Sequence, residues 1–263
     1  MQPIESIEDI QSIESKILKH FKGYCESNKI KYFLSGGTLL GAVKYGGFIP
    51  WDDDIDVFVP REDYNRLVRE YKDGEDFELL STEREEKWTL PYAKLCDLHT
   101  FKDEGIDDVK VGLNIDIFPL DSFANGRKRS EFLATLKYLY AVFLSDIKMD
   151  NPVGRNKLVT TAKHIYLFLI KLFGKKFFLN ALLKNSGNLK TGYVGRVCWP
   201  MYKKNEVIPA AVFDDTVEIT FEGEKYNAPV GYDTYLSILY GDYKKDFSKK
   251  EQVSHHVFNA YRK

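Results

Sequence analysis

The chain has 263 residues, enough to bury a sizeable core, and its formal net charge of −1 argues against a dedicated nucleic-acid binder. No apolar run reaches the roughly 18 residues of a membrane span, and the acidic, polar start "MQPIESIEDIQSIESK" does not read as a signal peptide, so the expected location is cytoplasmic. Cys25, Cys96 and Cys198 are widely spaced and form no CxxC pair, which fits reduced thiols better than a disulfide framework.

In chain order, Ile7, Ile10, Ile13, Ile17, Leu18 and Phe21 recur at helical spacing, so an amphipathic helix is predicted, ending near Gly23 or in "ESNK". "IKYFLSGG" reads as a short strand entering a glycine turn. "TLLGAVKYG" reads as a helix opening at Thr38, with Ser35 or Thr38 as cap. "DIDVFVP" alternates as a strand, with Ile55, Val57 and Val59 on one side and Asp54, Asp56 and Phe58 on the other, until Pro60 stops it. "REDYNRLVREY" is helical, and "FELLS" and "YAKLCDL" are strand candidates. "GLNIDIFPLD" is a stronger one, expected to end at Pro119. From Ser130 to about Lys190 the period turns helical. After it, "TVEITFEG" reads as a strand and "GYDTYLSILYG" as a helix.

The near-zero net charge hides an asymmetry. Residues 127–190 hold thirteen basic side chains against three acidic ones, so the segment carries +10 and the remainder −11. An α/β core interrupted by a basic helical insert is the resulting picture. Its core spans 1–126, the insert 127–192, and a returning C-terminal part 193–263, all within a single domain.

Four aspartates crowd into five residues of "PWDDDIDVFVP". Strand residues two apart share a face, so Asp54 and Asp56 point together. Two carboxylates held that close repel unless a cation joins them. Mg²⁺, with Mn²⁺ as the alternative ion, binds through one or two carboxylates plus substrate phosphates, and Asp116 in "NIDIF" is placed to add a third. Asp52 and Asp53 read as turn residues, either supporting the carboxylates from behind or facing solvent. In "SGGT", Gly36 and Gly37 admit a ligand close to the backbone, and the helix opening at Thr38 offers amides to phosphate oxygens. Lys94 is a candidate to neutralise a phosphate.

These segments together resemble the LicD family. The block "GGTLLGAVKYGGFIPWDDDIDVFVPREDY" carries most of the likeness, with "YAKLCD" and the following Thr100, "NIDIFPLD" and "APVGYDTYLSILYGDY". More remotely, the chain resembles the catalytic domain of fukutin-related protein. The resemblance implies a nucleotidyltransferase-like α/β (α+β) fold, a mixed sheet with flanking helices. It also implies Mg²⁺-dependent transfer of a phospho-alcohol from a CDP-activated donor, CDP-choline first, to a hydroxyl of a cell-surface glycan precursor, lipid-linked or not. CMP is the leaving group. Asp54, Asp56 and Asp116 match the family's acidic positions as catalytic and metal residues. His255 matches a C-terminal histidine, although His256 and the following "VFN" depart from the family pattern.

Choline as the alcohol would call for aromatic contact with its quaternary ammonium, and Trp51 beside the acidic cluster is a candidate, as it is for a plain core anchor. Residues 164–184 are too short and too interrupted by lysines to span a bilayer. They read equally as a peripheral contact with the inner membrane face or as a helix packed on the core. CDP-ribitol or CDP-glycerol as donor, a true nucleotidyltransferase acting on a small molecule, and a calcium-binding module are the alternatives. No twelve-residue calcium loop supports the last of these.

Overall fold

The structure of the protein, a computed structural model, describes residues 2–103, 111–122, 192–196, 206–247 and 259–263, with single positions at 132, 172, 177, 179, 180, 183 and 252. The basic segment 127–190, residues 164–184 as a unit, Cys198, His255 and His256 therefore lie outside the described residues.

The chain opens with β1 (Gln2–Ile4) and the long helix α1 (Ile7–Asn28), followed by β2 (Phe33–Leu34), α2 (Gly36–Tyr45), β3 (Asp56–Pro60) and α3 (Arg61–Glu70). Then come β4 (Phe77–Leu80), β5 (Ala93–Asp97), β6 (Thr100–Asp103) and β7 (Asn114–Ser122). After the basic segment follow β8 (Tyr193–Gly195), β9 (Ile208–Pro209), a 3₁₀ turn (Ala210–Phe213), β10 (Thr216–Phe221), β11 (Glu224–Pro229), α4 (Tyr232–Tyr240) and β12 (Asn259–Arg262).

Ser6 starts α1 by accepting the Asp9 amide on Oγ at 3.0 Å, and Glu8 and Asp9 suit the positive end of the helix dipole. The helix passes through Gly23 and closes at Lys29, which adopts a left-handed conformation at φ 54°. Of the two endings predicted, the one in "ESNK" is therefore observed. Ile17, Leu18 and Phe21 are buried on its apolar stripe, each worth about 1.5–3 kcal/mol of transfer free energy. α1 lies over β5 and β7.

The main sheet runs β2-β3-β7-β5-β4, and β8 and β9 extend it from the far half of β7. Only β3 and β7 are parallel; the other pairings are antiparallel. The predicted alternation in β3 holds, but both faces are covered, since Val57, Phe58 and Val59 are all buried. The strand begins at Asp56, so Asp54 precedes the paired segment.

Pro119 does not end β7, which runs on to Ser122. The Asp116 amide bonds Ile55 in the direction of β3, and alternation turns position 119 toward the opposite edge. There β5 has finished pairing at Ala93, opposite Ile117, and β8 starts at Gly195, opposite Asp121. The missing proline N–H falls in that gap and costs no ladder bond.

Two smaller sheets flank the main one: β1-β12-β6 and the β10–β11 hairpin. The hairpin tip holds the loop that leads to the aspartates. The Glu222 carboxylate accepts the Phe48 amide at 3.1 Å, and the Glu222 amide donates to the Gly46 carbonyl at 2.9 Å. Cys25 and Cys96 are free and buried, and burial pushes both thiols up.

Candidate active site

The parallel pairing of β3 and β7 sets Asp56 directly opposite Asp116, and the antiparallel pairing of β5 with β7 sets Lys94 opposite Asp116 on its other side. Three adjacent strands therefore present two carboxylates and one ammonium in a row. Lys94 is buried, and its Nζ lies 3.0 Å from Asp116 Oδ1 and donates to Asn114 Oδ1 at 3.0 Å. It belongs to the strand row and is not a solvated surface charge.

Asp56 is held from several directions. Its amide donates to the Thr38 hydroxyl at 2.8 Å, so Thr38 ties α2 to β3 and is not the helix cap. Helix α2 begins two residues earlier than predicted, at Gly36, with Ser35 at the cap position but making no side-chain cap bond. Arg196 donates from Nη2 to Asp56 Oδ2 at 3.1 Å, and its Nε lies 3.9 Å from Glu206 Oε1. The Arg196 guanidinium stacks over Phe118 at 4.3 Å and Phe58 at 5.5 Å. Burial works against its charge, and Asp56 and Glu206 more than offset this, so its pKa is raised. Burial pushes the Asp56 carboxyl up to about 7; Arg196 opposes the rise, and Asp54 and Asp116 add to it.

Both glycines of the turn are explained by these carboxylates. Gly36 has φ +54°, and a β-carbon on it would stand 2.9 Å from Asp56 Oδ2 and 3.0 Å from Arg196 Nη2. One on Gly37 would stand 2.8 Å from Asp52 Oδ2. The Gly36 amide donates to the Tyr235 hydroxyl of α4 at 3.0 Å, so the first amide of α2 is taken up by α4. Asp53 corrects the reading of a solvated turn residue, for only 6% of it is exposed. Trp51 is half-buried, packed edge-to-face on Phe247 at 5.3 Å. Thr100 starts β6, where its Oγ1 accepts the Leu113 amide at 2.9 Å.

Arg196, Glu206 and Tyr235 join the cluster around Asp56 from outside the predicted set, and Glu14, buried on α1, is reached by the charges of Asp54, Asp53 and Asp116. Glu14 had a signal, since it falls on the apolar stripe of α1 between Ile10 and Ile17. Arg196 has none, because its partner lies 140 residues away.

Among the described residues no group of three or more His, Cys, Asp or Glu side chains is arranged so as to hold a metal ion. The donor set still suits a hard divalent cation. Oxygen ligands from two facing carboxylates leave positions for water and substrate phosphates, the usual pattern for Mg²⁺. Asp54, half-buried just ahead of β3, acts electrostatically on Asp56.

The family model described as LicD/FKTN/FKRP, nucleotidyltransferase domain, matches residues 29–138, the stretch that holds β3, β5 and β7. The fold is accordingly a nucleotidyltransferase-like mixed α/β domain. The chain is 30% identical to the lipopolysaccharide cholinephosphotransferase LicD of Haemophilus influenzae over 97% of its own length and 98% of that relative's. It therefore belongs to the LicD family. A shorter likeness, 42% identity over 45 residues, links it to the ribitol 5-phosphate transferase FKRP of Homo sapiens, covering 17% of this chain and 9% of that one.

Proposed function

We propose that this chain is a phosphotransferase moving phosphocholine from CDP-choline to a hydroxyl of a cell-surface glycan precursor, with release of CMP. The observation that carries the reading is Asp56 facing Asp116 across β3 and β7, in a chain similar over nearly its whole length to a lipopolysaccharide cholinephosphotransferase.

Asp56 and Asp116, with Asp54 beside them, are the residues that would hold Mg²⁺ or Mn²⁺. Such an ion neutralises charge on the diphosphate and favours in-line displacement. Lys94 orients the Asp116 carboxylate and adds positive charge where the diphosphate would lie. Arg196 fixes Asp56 from behind, and Thr38 and Gly36 keep α2 against it. In the transfer, the acceptor oxygen forms a new bond to the choline-bearing phosphorus as the bond to the CMP oxygen breaks. The hydroxyl proton goes to a base, for which Asp116 and His255 are the proposed groups.

A donor panel tests this: CDP-choline, CDP-ribitol, CDP-glycerol and CDP-ethanolamine, each with Mg²⁺, assayed for CMP. CDP-choline should give CMP, and folded Asp56→Asn should lose it. Full turnover by Asp56→Asn, or pyrophosphate as the product, would overturn the proposal. The FKRP likeness favours one second reading, ribitol phosphate as the group transferred, and the same panel separates it.

A further inference from the structure

Two arginines pair with aspartates of the main sheet, and they do so differently. Arg61 closes its whole fork on the buried Asp121 of β7: Nε donates to Oδ1 at 2.7 Å and Nη2 to Oδ2 at 2.6 Å. Arg196 offers the same edge of its guanidinium but splits it. Its Nη2 donates to Asp56 Oδ2 at 3.1 Å, while its Nε lies 3.9 Å from Glu206 Oε1.

Glu206 is not required to neutralise Arg196, because Asp56 already carries one negative charge. A second buried carboxylate beside a balanced ion pair is costly unless it has a further use. That use is not to bind a substrate. The cavity that Glu206 lines with Arg196, Phe58, Ile208 and Tyr235 is about 10 Å³, room for one water. Arginine and carboxylate favour the closed, two-bond pairing that Arg61 and Asp121 make. The same closure on Asp56 would engage both of its oxygens.

We propose that Glu206 is a positioning residue that draws the Nε arm of Arg196 aside, so that Arg196 holds Asp56 by Oδ2 and leaves Oδ1 to the reaction. The inference rests on the phosphotransfer reading above, in which Asp56 serves the site. It adds to that reading a residue outside the matched stretch 29–138. Phe118 and Phe58 lie against the guanidinium, so the two carboxylates decide where its edge points.

The test is Glu206→Gln, which keeps the size of the side chain and removes the charge. In a crystal structure of the variant, Arg196 Nε should stand within hydrogen-bond distance of Asp56 Oδ1. For CMP release from CDP-choline, kcat should fall about tenfold or more, with KM for CDP-choline little changed. Adding Arg196→Lys should restore part of the lost kcat, because lysine keeps the charge and has no fork to close. A Glu206 that merely packs would lower stability and would not be rescued in this way. Arg196 unmoved in the variant crystal, a wild-type kcat, or no recovery in the double variant each overturns the inference. Where Glu206→Gln does not fold, Glu206→Asp draws the charge back by one methylene and is read by the same crystal structure and kcat, with the same results overturning it. A wild type that releases no CMP from CDP-choline removes the phosphotransfer reading. The position of Arg196 in the variant crystal then decides the inference by itself.

Discussion

Gly36 is squeezed between its own left-handed backbone and two charged side chains. At φ +54° any residue with a β-carbon pays roughly 1–2 kcal/mol. The added atom would also press on Asp56 Oδ2 and Arg196 Nη2, both within about 3 Å as glycine stands. Gly36→Ala should therefore lower unfolding free energy in urea by roughly 1–2 kcal/mol or more. CMP release should fall at least tenfold, since the displaced carboxylate is the proposed cation ligand. A variant with wild-type stability and turnover would show that the turn tolerates the extra carbon. Position 36 could be picked out in the sequence as a glycine before a helix. Its neighbour Arg196 could not, because nothing local marks a pairing made across 140 residues.

At the scale of elements, α2 and the loop after it behave as one unit. Gly41 sits mid-helix, where Gly→Ala ordinarily stabilises by about 1 kcal/mol. Here the new β-carbon would lie 2.5 Å from the Gly47 carbonyl oxygen and 2.9 Å from the Ile49 amide nitrogen. That backbone cannot easily withdraw, because Glu222 clamps Gly46 and Phe48 to the hairpin. The sign should reverse: Gly41→Ala should lower the thermal midpoint, and the strained loop should carry Asp52–Asp56 out of place. A raised midpoint would refute this. β3 and β7 were legible because strict alternation of apolar residues leaves a local mark. The course of β7 through Pro119 was not, since the proline is tolerated only by the order in which β5 stops and β8 starts. Likewise Glu14 stood out as a charge on an apolar stripe, while the reach of the Asp116 charge to it depends on how α1 lies on the sheet.

For the whole molecule, stability should depend on pH through groups on opposite sides of the balance. His20 joins α1 to the end of α3 and to β4: its Nε2 is 2.9 Å from the Tyr71 hydroxyl, and its ring centroid is 4.5 Å from that of Phe77. His20 stays solvent-exposed as a whole, but the part of its ring against Phe77 is shielded from water, which lowers its pKa, with Asp76 opposing. The unfolded chain, with histidine near 6.5, then binds the proton more readily than the folded one. The stability contributed is full above that value and is lost as pH falls below it and through the lower folded value. Glu14 and Asp56 act in reverse: their raised pKa values favour the protonated folded form, and their contribution is lost as pH rises through the folded value. Comparing His20→Gln with wild type isolates the first effect. The wild-type advantage in urea midpoint should be larger at pH 7 than at pH 5, and an equal difference at both would exclude the His20 contribution.

β7 lies inside the sheet and shares its length among β3, β5 and β8. To open the backbone at Asp116, two neighbouring strands must part at once, so that peptide moves only when much of the molecule opens with it. Asp54 stands ahead of the β3 ladder, which begins at Asp56, and is bound by no such double seam. The carboxylates thus run on different clocks. One is fixed for as long as the fold persists, while the peptide of the other lies ahead of the strand ladder.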